Sequence, residues 1–161
     1  MVKATSDLSS LGVAIDAREF LSSRRTFIDT ELDQLIPKET DDPARLHSAI
    51  RWSVFAGGKR FRPALVLAVG ETFGAATDQL LRTACAFEMI HTYSLIHDDL
   101  PALDDDTLRR GRPTLHVVAG EGMAILAGDG LLTEAFALMA RAPASSEPSI
   151  QARKLRVISL I

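Results

Sequence analysis

Apolar positions along this chain recur at the three- and four-residue spacing of an amphipathic helix, and no stretch alternates as a half-buried strand would. From Val13 to Ile36 they include Phe20, Phe27, Ile28, Leu32, Leu35 and Ile36, and Pro37 ends the stretch. A second helix is predicted over "DDPARLHSAIRWSVFAGG", opened by an acidic cap with Pro43 in its first turn and closed at Gly57 and Gly58. A third restarts at Pro63 in "RPALVLAVGETFG" and stops near Gly74. Thr77 is the expected cap of a long helix running through Asp98, with Asp78 favouring its positive N-terminal end. Pro101 falls in the continuation of that helix and is expected to kink it or loosen its hydrogen bonding. A short helix after Pro113, a longer one over Gly122–Arg141, a loop at "RAPASSEPS" and a last helix over Pro148–Ile161 complete the pattern. The predicted class is all-α, and residues 1–14 are expected to be flexible.

Composition narrows the function classes. The chain has 161 residues, 47% of them hydrophobic, enough for one domain with a buried core. A net charge of −3 points neither to a nucleic-acid binder nor to an acidic tail. The lone Cys85 excludes a disulfide framework and a cysteine metal site. The N-terminus lacks the apolar core of a signal peptide. The apolar run from Gly122 to Ala140 contains Asp129 and Glu134, so it is read as a buried core helix rather than a membrane span. A soluble, cytoplasmic setting is the default expectation. The chain stops within its last apolar helix, at "RVISLI", without a cap, glycine or polar tail. This predicts a piece of a larger domain. The alternative is a short helical protein whose last helix docks in a partner.

The stretch "IHDDLPALDDDTLRRGRPTLH" holds five aspartates within nine residues, Asp98 to Asp106, and three arginines in the next six. Carboxylates can share a site when a divalent cation lies among them. An Asp cluster without His or Cys suits magnesium, with manganese as a substitute, better than zinc. A diphosphate between the acids and the arginines satisfies both: the acids through the metal, the arginines by bidentate hydrogen bonds. The bland alternative is a solvated loop with internal salt bridges. A second basic cluster, "GGKRFRP", sets Lys59, Arg60 and Arg62 after two glycines and before a helix start, where backbone and helix dipole favour an anion. His91 precedes Asp98 by seven residues, two helical turns, so both share one face about 10 Å apart along the helix. A structural His is the alternative there. Two anion sites follow, one metal-bridged at the acids and one built from Lys59, Arg62 and His91. Two diphosphates in an apolar helical protein suggest the joining of two isoprenoid units.

"GGKRFRP", "EMIHTYSLIHDDLPALDDDTLRRGRPTLH" and "AILAGDGLL" resemble the trans-prenyltransferases, the isoprenyl diphosphate synthases, and among them the bacterial farnesyl diphosphate synthases. The resemblance runs from about residue 15 to residue 161. It implies an all-α isoprenoid synthase bundle around a deep central cavity, a homodimer in the full-length protein, and isopentenyl and allylic diphosphates as substrates. It further implies that Asp98 and Asp104 bind magnesium, that Arg109 holds the allylic diphosphate, and that Lys59, Arg62, His91 and Arg110 form the isopentenyl diphosphate site. An uninterrupted helix would bring Asp105, not Asp104, over Asp98; the choice of Asp104 comes from the resemblance. The family's second aspartate-rich motif, in its C-terminal half, is absent from these residues. The resemblance therefore implies that residues 1–161 are the N-terminal part of one isoprenoid synthase domain, inactive or nearly so alone.

The implied chemistry is ionisation of the allylic C–O bond, attack of the cation on the isopentenyl double bond, and loss of a proton, with no side-chain nucleophile. The resemblance makes Tyr93 the floor that limits the product to the C15 farnesyl chain, about 7.5 Å below Asp98 along the helix. The alternative is a core tyrosine with its hydroxyl bonded to a neighbouring helix. Three other readings compete: a geranylgeranyl product, another helical magnesium–diphosphate enzyme such as a terpene cyclase or phosphohydrolase, and a non-catalytic diphosphate-binding subunit. "GGKRFRP" with His91 speaks against the cyclase, and the intact acid motif against the subunit.

Overall fold

The computed structural model describes residues 16–141 and 145–161. The expected flexibility of residues 1–14, and part of the loop expected at "RAPASSEPS", lie outside the described residues.

Seven helices and one short hairpin make up these residues. The helices are α1 (Ala17–Leu35), α2 (Ala44–Val54), α3 (Phe61–Thr72), α4 (Thr77–Asp98), α5 (Leu115–Ala119), α6 (Glu121–Arg141) and α7 (Pro148–Ile158). Strands β1 (Leu108–Arg109) and β2 (Arg112–Pro113) pair antiparallel between α4 and α5. The all-α expectation holds, and the hairpin is the one element it missed. Its turn is Arg110–Gly111, with φ of 53° and 77°. Positive φ at both central positions is the signature of a tight two-residue hairpin turn, usually announced by Asn-Gly or Asp-Gly. Here Arg stands in the first position and each strand is only two residues long, so neither turn chemistry nor periodicity gives the hairpin away.

Several helix boundaries move for local reasons. Asp16 caps α1, accepting from the Arg18 backbone N–H at 2.8 Å. The acidic cap expected for α2 is not used: Pro43 occupies the cap position, without a side-chain hydrogen bond. Helix α3 starts at Phe61, two residues before Pro63. A proline is tolerated there because first-turn N–H groups have no intrahelical acceptor. Thr77 is not a cap but the first residue of α4, and its hydroxyl bonds the Glu71 carboxylate at 2.8 Å, tying α4 back to α3. Pro101 does not kink α4, because the helix has already ended at Asp98. Helix α7 ends at Ile158, short of Ile161.

Helix α4 runs through the core. Its buried positions, Leu81, Ala84, Cys85, Glu88, Met89, Thr92 and Ile96, form one broad face, and Ala86 adds a buried position to one side of it. It packs against α1, α2, α3 and α6. Helix α6 is long and apolar enough to cross a membrane by length and composition. Its buried stripe, Ala124, Ala127, Gly128, Leu131, Ala135, Leu138 and Met139, instead faces protein, as the carboxylates within the run anticipated. Gly128 sets how closely α6 approaches α4: a Cβ there would lie 2.3 Å from Nε2 of His97. The C-terminal end of α4 therefore sits directly on α6, and the candidate site grows from that end.

Candidate functional site

The acidic side starts where α4 stops. Asp98 is the last helical residue and is exposed. The chain then folds back on itself, and the Asp104 N–H bonds the Asp98 carbonyl at 2.8 Å. The turn over residues 99–104 thus returns Asp104 to the end of the helix beside Asp98. Asp105 takes a left-handed conformation, φ 53°, and its N–H bonds the Leu100 carbonyl at 3.1 Å. The uninterrupted-helix register that favours Asp105 does not exist in this turn.

Asp99 behaves differently from its neighbours. It is 4% exposed. Its carboxylate receives Nε of Arg109 at 2.9 and 3.0 Å and Nη2 at 2.5 Å. Asp106 adds a looser contact to Nη2 at 3.7 Å. These bonds hold the Arg109 guanidinium side-on and raise its pKa, Asp99 being the chief cause. They engage Nε and Nη2, which leaves the Nη1 edge for an anion. Asp99 was not among the sequence-predicted site residues. Five adjacent acids look alike in one dimension, and only the direction of the helix end separates Asp98 from Asp99.

The basic side is an open cleft of about 520 Å³ lined by Arg25, Gly58, Lys59, Arg60, Phe61, Arg62, Glu88, His91 and Arg110. The four residues expected for the second anion site, Lys59, Arg62, His91 and Arg110, all line it. Lys59 and Arg62 are exposed, whereas Arg60 is 3% exposed and turned inward. Arg110 reaches in from the hairpin turn and donates from Nη1 to the Gly57 carbonyl. Gly58 must be glycine for that approach. Its φ is +140°, and a Cβ would lie 2.6 Å from Arg110 Nη1. His91 is half-buried on α4, and its pKa is lowered, first by burial and then by the charge of Arg62, with Arg110 and Arg109 adding and Glu88 opposing. The cations that add to the burial effect, Arg62, Arg110 and Arg109, converge on one place and would favour an anion there.

Between the two sides lies a smaller space of about 40 Å³, lined by Glu88, His91, Thr92, Asp99, Arg109 and Arg110 among others. Its lining mixes these polar groups with apolar ones such as Leu95, Ile96 and Leu115. Glu88, His91 and Arg110 line both spaces, so the basic cleft and the Asp99–Arg109 pair are neighbours. Arg112 fixes the hairpin from below by stacking on Trp52, 4.2 Å from the ring centroid, while the Trp52 ring N–H bonds the Pro113 carbonyl at 3.1 Å. Tyr93 lines neither space. Its ring meets His97 edge-on at 4.7 Å between centroids. Among the described residues its hydroxyl bonds no neighbouring helix, so the core-tyrosine alternative loses its hydrogen bond.

Among the described residues no group of three or more His, Cys, Asp or Glu side chains forms a metal cage. The donor set at the end of α4 fits a hard cation that takes one or two carboxylates and fills its shell with water and phosphate oxygens. Among the described residues Asp99 is committed to Arg109 and Asp106 touches it loosely, while the carboxylates of Asp98, Asp104 and Asp105 make no ion pair.

The polyprenyl synthetase family model matches residues 43–161. Farnesyl diphosphate synthase of Geobacillus stearothermophilus is 51% identical over 125 residues, 78% of this chain and 42% of that protein. Geranylgeranyl diphosphate synthase of Cyanophora paradoxa is 50% identical over 121 residues, 75% of this chain and 40% of that protein. The crystal structure of an FPP/GFPP synthase from Zymomonas mobilis matches with a TM-score of 0.80 at 34% identity, over 89% of this chain and 51% of that one. The chain spans about half or less of the length of these proteins. With the family model matched over most of its residues and relatives at this identity, the chain belongs to the polyprenyl synthetase family.

Proposed function

We propose that this chain is the N-terminal part of a short-chain trans-prenyltransferase that condenses isopentenyl diphosphate with dimethylallyl or geranyl diphosphate to give farnesyl diphosphate. The observation that carries the reading is the convergence of Lys59, Arg62, His91 and Arg110 on one cleft, adjoining the Asp99–Arg109 pair at the acid-rich end of α4. Lys59 and Arg62, exposed and without an ion pair among the described residues, suit a multiply charged anion, and the cleft holds isopentenyl diphosphate by charge-assisted hydrogen bonds. The allylic diphosphate lies at the end of α4. Its C–O bond breaks, the electron pair leaves with the diphosphate, and Arg109 stabilises the charge that develops there. The allylic carbon then bonds the terminal alkene carbon of isopentenyl diphosphate, and the proton released goes to the departed diphosphate. Magnesium or manganese, held by Asp98, Asp104 and phosphate oxygens, would supply Lewis-acid neutralisation of the leaving group.

A geranylgeranyl product is the second reading, favoured by the 50% identity to the geranylgeranyl synthase of Cyanophora paradoxa. Tyr93 as the floor of the tail channel is what supports the C15 product. A homodimer and a cytoplasmic location belong to the same proposal. The test is made on a protein of the relatives' full length. Asp98→Ala and Asp104→Ala each lower kcat by orders of magnitude, and chelator abolishes turnover until magnesium is restored. Near-normal turnover in both variants, or activity that survives chelation, overturns the reading.

A further inference from the structure

We propose that Arg60 is the positioning residue of the basic cleft: it pins the Gly57–Arg62 loop to three helices and neutralises Glu88, holding Lys59 and Arg62 towards the anion. This rests on the reading of the cleft as a diphosphate site. Lys59, Arg60 and Arg62 are equivalent in the sequence, and the fold separates them. Arg60 is 3% exposed, and each of its three guanidinium nitrogens makes a hydrogen bond. Nε bonds Asp29 of α1 at 2.6 Å, Nη1 bonds Glu88 of α4 at 2.8 Å, and Nη2 bonds the Val54 carbonyl at the end of α2 at 2.7 Å. The last acceptor is one of the carbonyls a helix C-terminus leaves unpaired, where a cation is favoured. A lysine carries its three donors on one nitrogen and cannot reproduce a planar fork whose separate nitrogens reach acceptors on three helices.

The backbone of Arg60 is left-handed, φ 50° and ψ 38°. That conformation is disfavoured for a residue with a Cβ, so something must hold it. The buried guanidinium does, and the consequence is geometric. With residue 60 turned inward at the cap of α3, Lys59 before it and Arg62 after it emerge on the solvent side, where both line the cleft. Neither Lys59 nor Arg62 can be fixed by ion pairs of its own and still be free for a ligand.

Charge gives the second half of the role. Glu88 is 3% exposed, stands one turn before His91 and lines the cleft. An unpaired carboxylate there would repel a diphosphate and compete for its cations. Bonded to Arg60, it does neither. Burial alone would lower the pKa of Arg60, but the bonds to Glu88 and Asp29 outweigh it and keep the guanidinium charged.

The test uses a protein of the relatives' full length and inorganic diphosphate in metal-free buffer, with affinity measured by titration calorimetry well below each melting midpoint. Lys59→Ala and Arg62→Ala report on the site itself. Arg60→Lys and Asp29→Asn report on the positioning, and Asp29→Asn removes only one charged acceptor, from a partly exposed position, so it keeps the test open should Arg60→Lys fail to fold. The expected result is roughly tenfold weaker binding in Arg60→Lys and a smaller loss in Asp29→Asn. Both variants should also show faster tryptic cleavage after Lys59 while still melting cooperatively. A merely structural Arg60 would lower the melting midpoint and leave affinity and loop cleavage in the folded protein unchanged. That outcome overturns the proposal while the functional reading stands. A full-length wild-type protein without affinity for diphosphate, or one indifferent to Lys59→Ala and Arg62→Ala, overturns the functional reading and this inference with it.

Discussion

Asp99→Asn is the substitution whose outcome the geometry constrains most. Asp99 is 4% exposed and meets Arg109 at 2.9, 3.0 and 2.5 Å. Removing one partner of a buried ion pair costs about 3–5 kcal/mol, and losing a hydrogen bond to a charged group about 1.5–3 kcal/mol. The Arg109 side chain is 31% exposed and can regain water, and asparagine keeps one acceptor oxygen. Both facts put the cost at the low end, about 1.5–2 kcal/mol. For a chain of this size that is a fall in melting temperature of roughly 3–8 °C.

On the proposed reading the kinetic effect has a distinctive shape. Asp99 holds the guanidinium in place, but it also cancels part of its charge. Asparagine leaves Arg109 more attractive to an anion and less well placed for the charge that develops when the C–O bond breaks. In the full-length protein kcat should fall by roughly tenfold to a hundredfold, since a displacement of about 1 Å carries that penalty. The KM for the allylic substrate should stay level or drop. Steady-state rates at saturating isopentenyl diphosphate, with differential scanning calorimetry on the same sample, measure both. A variant with unchanged kcat and a raised allylic KM would show that Asp99 does not position Arg109 for the chemical step.

Two further outcomes follow. The pKa of His91 is held below its ordinary 6.5 by burial and by Arg62, Arg110 and Arg109. The folded chain therefore binds fewer protons than the unfolded one, so His91 costs nothing above pH 6.5 and destabilises increasingly as pH falls towards its folded pKa. Relative to His91→Gln, the wild type should lose melting temperature below pH 6.5, and diphosphate should draw up to one additional proton into the wild type, read from calorimetry in buffers of different ionisation heat. In the full-length enzyme Tyr93→Ala should shift product from C15 towards C20 while both substrates are still consumed, resolved by chain-length chromatography; an unchanged spectrum removes Tyr93 from the assignment.

The helical order was legible because the periodicity that reveals a helix is the periodicity that buries it, and α1, α2, α4 and α6 each carry a long apolar stripe. The failures are local and have local causes. Pro101 reads as a kink only if the helix continues, and α4 ends at Asp98, where the chain turns so that Asp104 bonds back to the Asp98 carbonyl. Thr77 reads as a cap because nothing in one dimension shows Glu71 across the turn, ready to accept its hydroxyl. The hairpin at Arg110–Gly111 is stabilised from outside itself, by Trp52 under Arg112 and by the Gly57 carbonyl over Arg110, partners more than fifty residues away.

The residues that composition could name and those it could not divide along one physical line. A side chain that binds a diphosphate or a metal must be exposed and uncommitted, so it cannot be fixed by its own bonds. On the proposed reading Lys59, Arg62, Asp98 and Asp104 are of this kind; residue type and spacing point to the two clusters, and the family resemblance picks the members. Something else must set their direction, and on both sides of the site it is the adjacent residue. Arg60, between Lys59 and Arg62, is buried on Asp29, Glu88 and the Val54 carbonyl. Asp99, next to Asp98, is buried on Arg109. Each buried pair turns its exposed neighbours outward, because consecutive residues cannot all point the same way. Three bases in "GGKRFRP" and five acids in "DDLPALDDD" are therefore not equivalent ligands. Some hold the chain so that the others can reach the substrate, and only burial tells them apart.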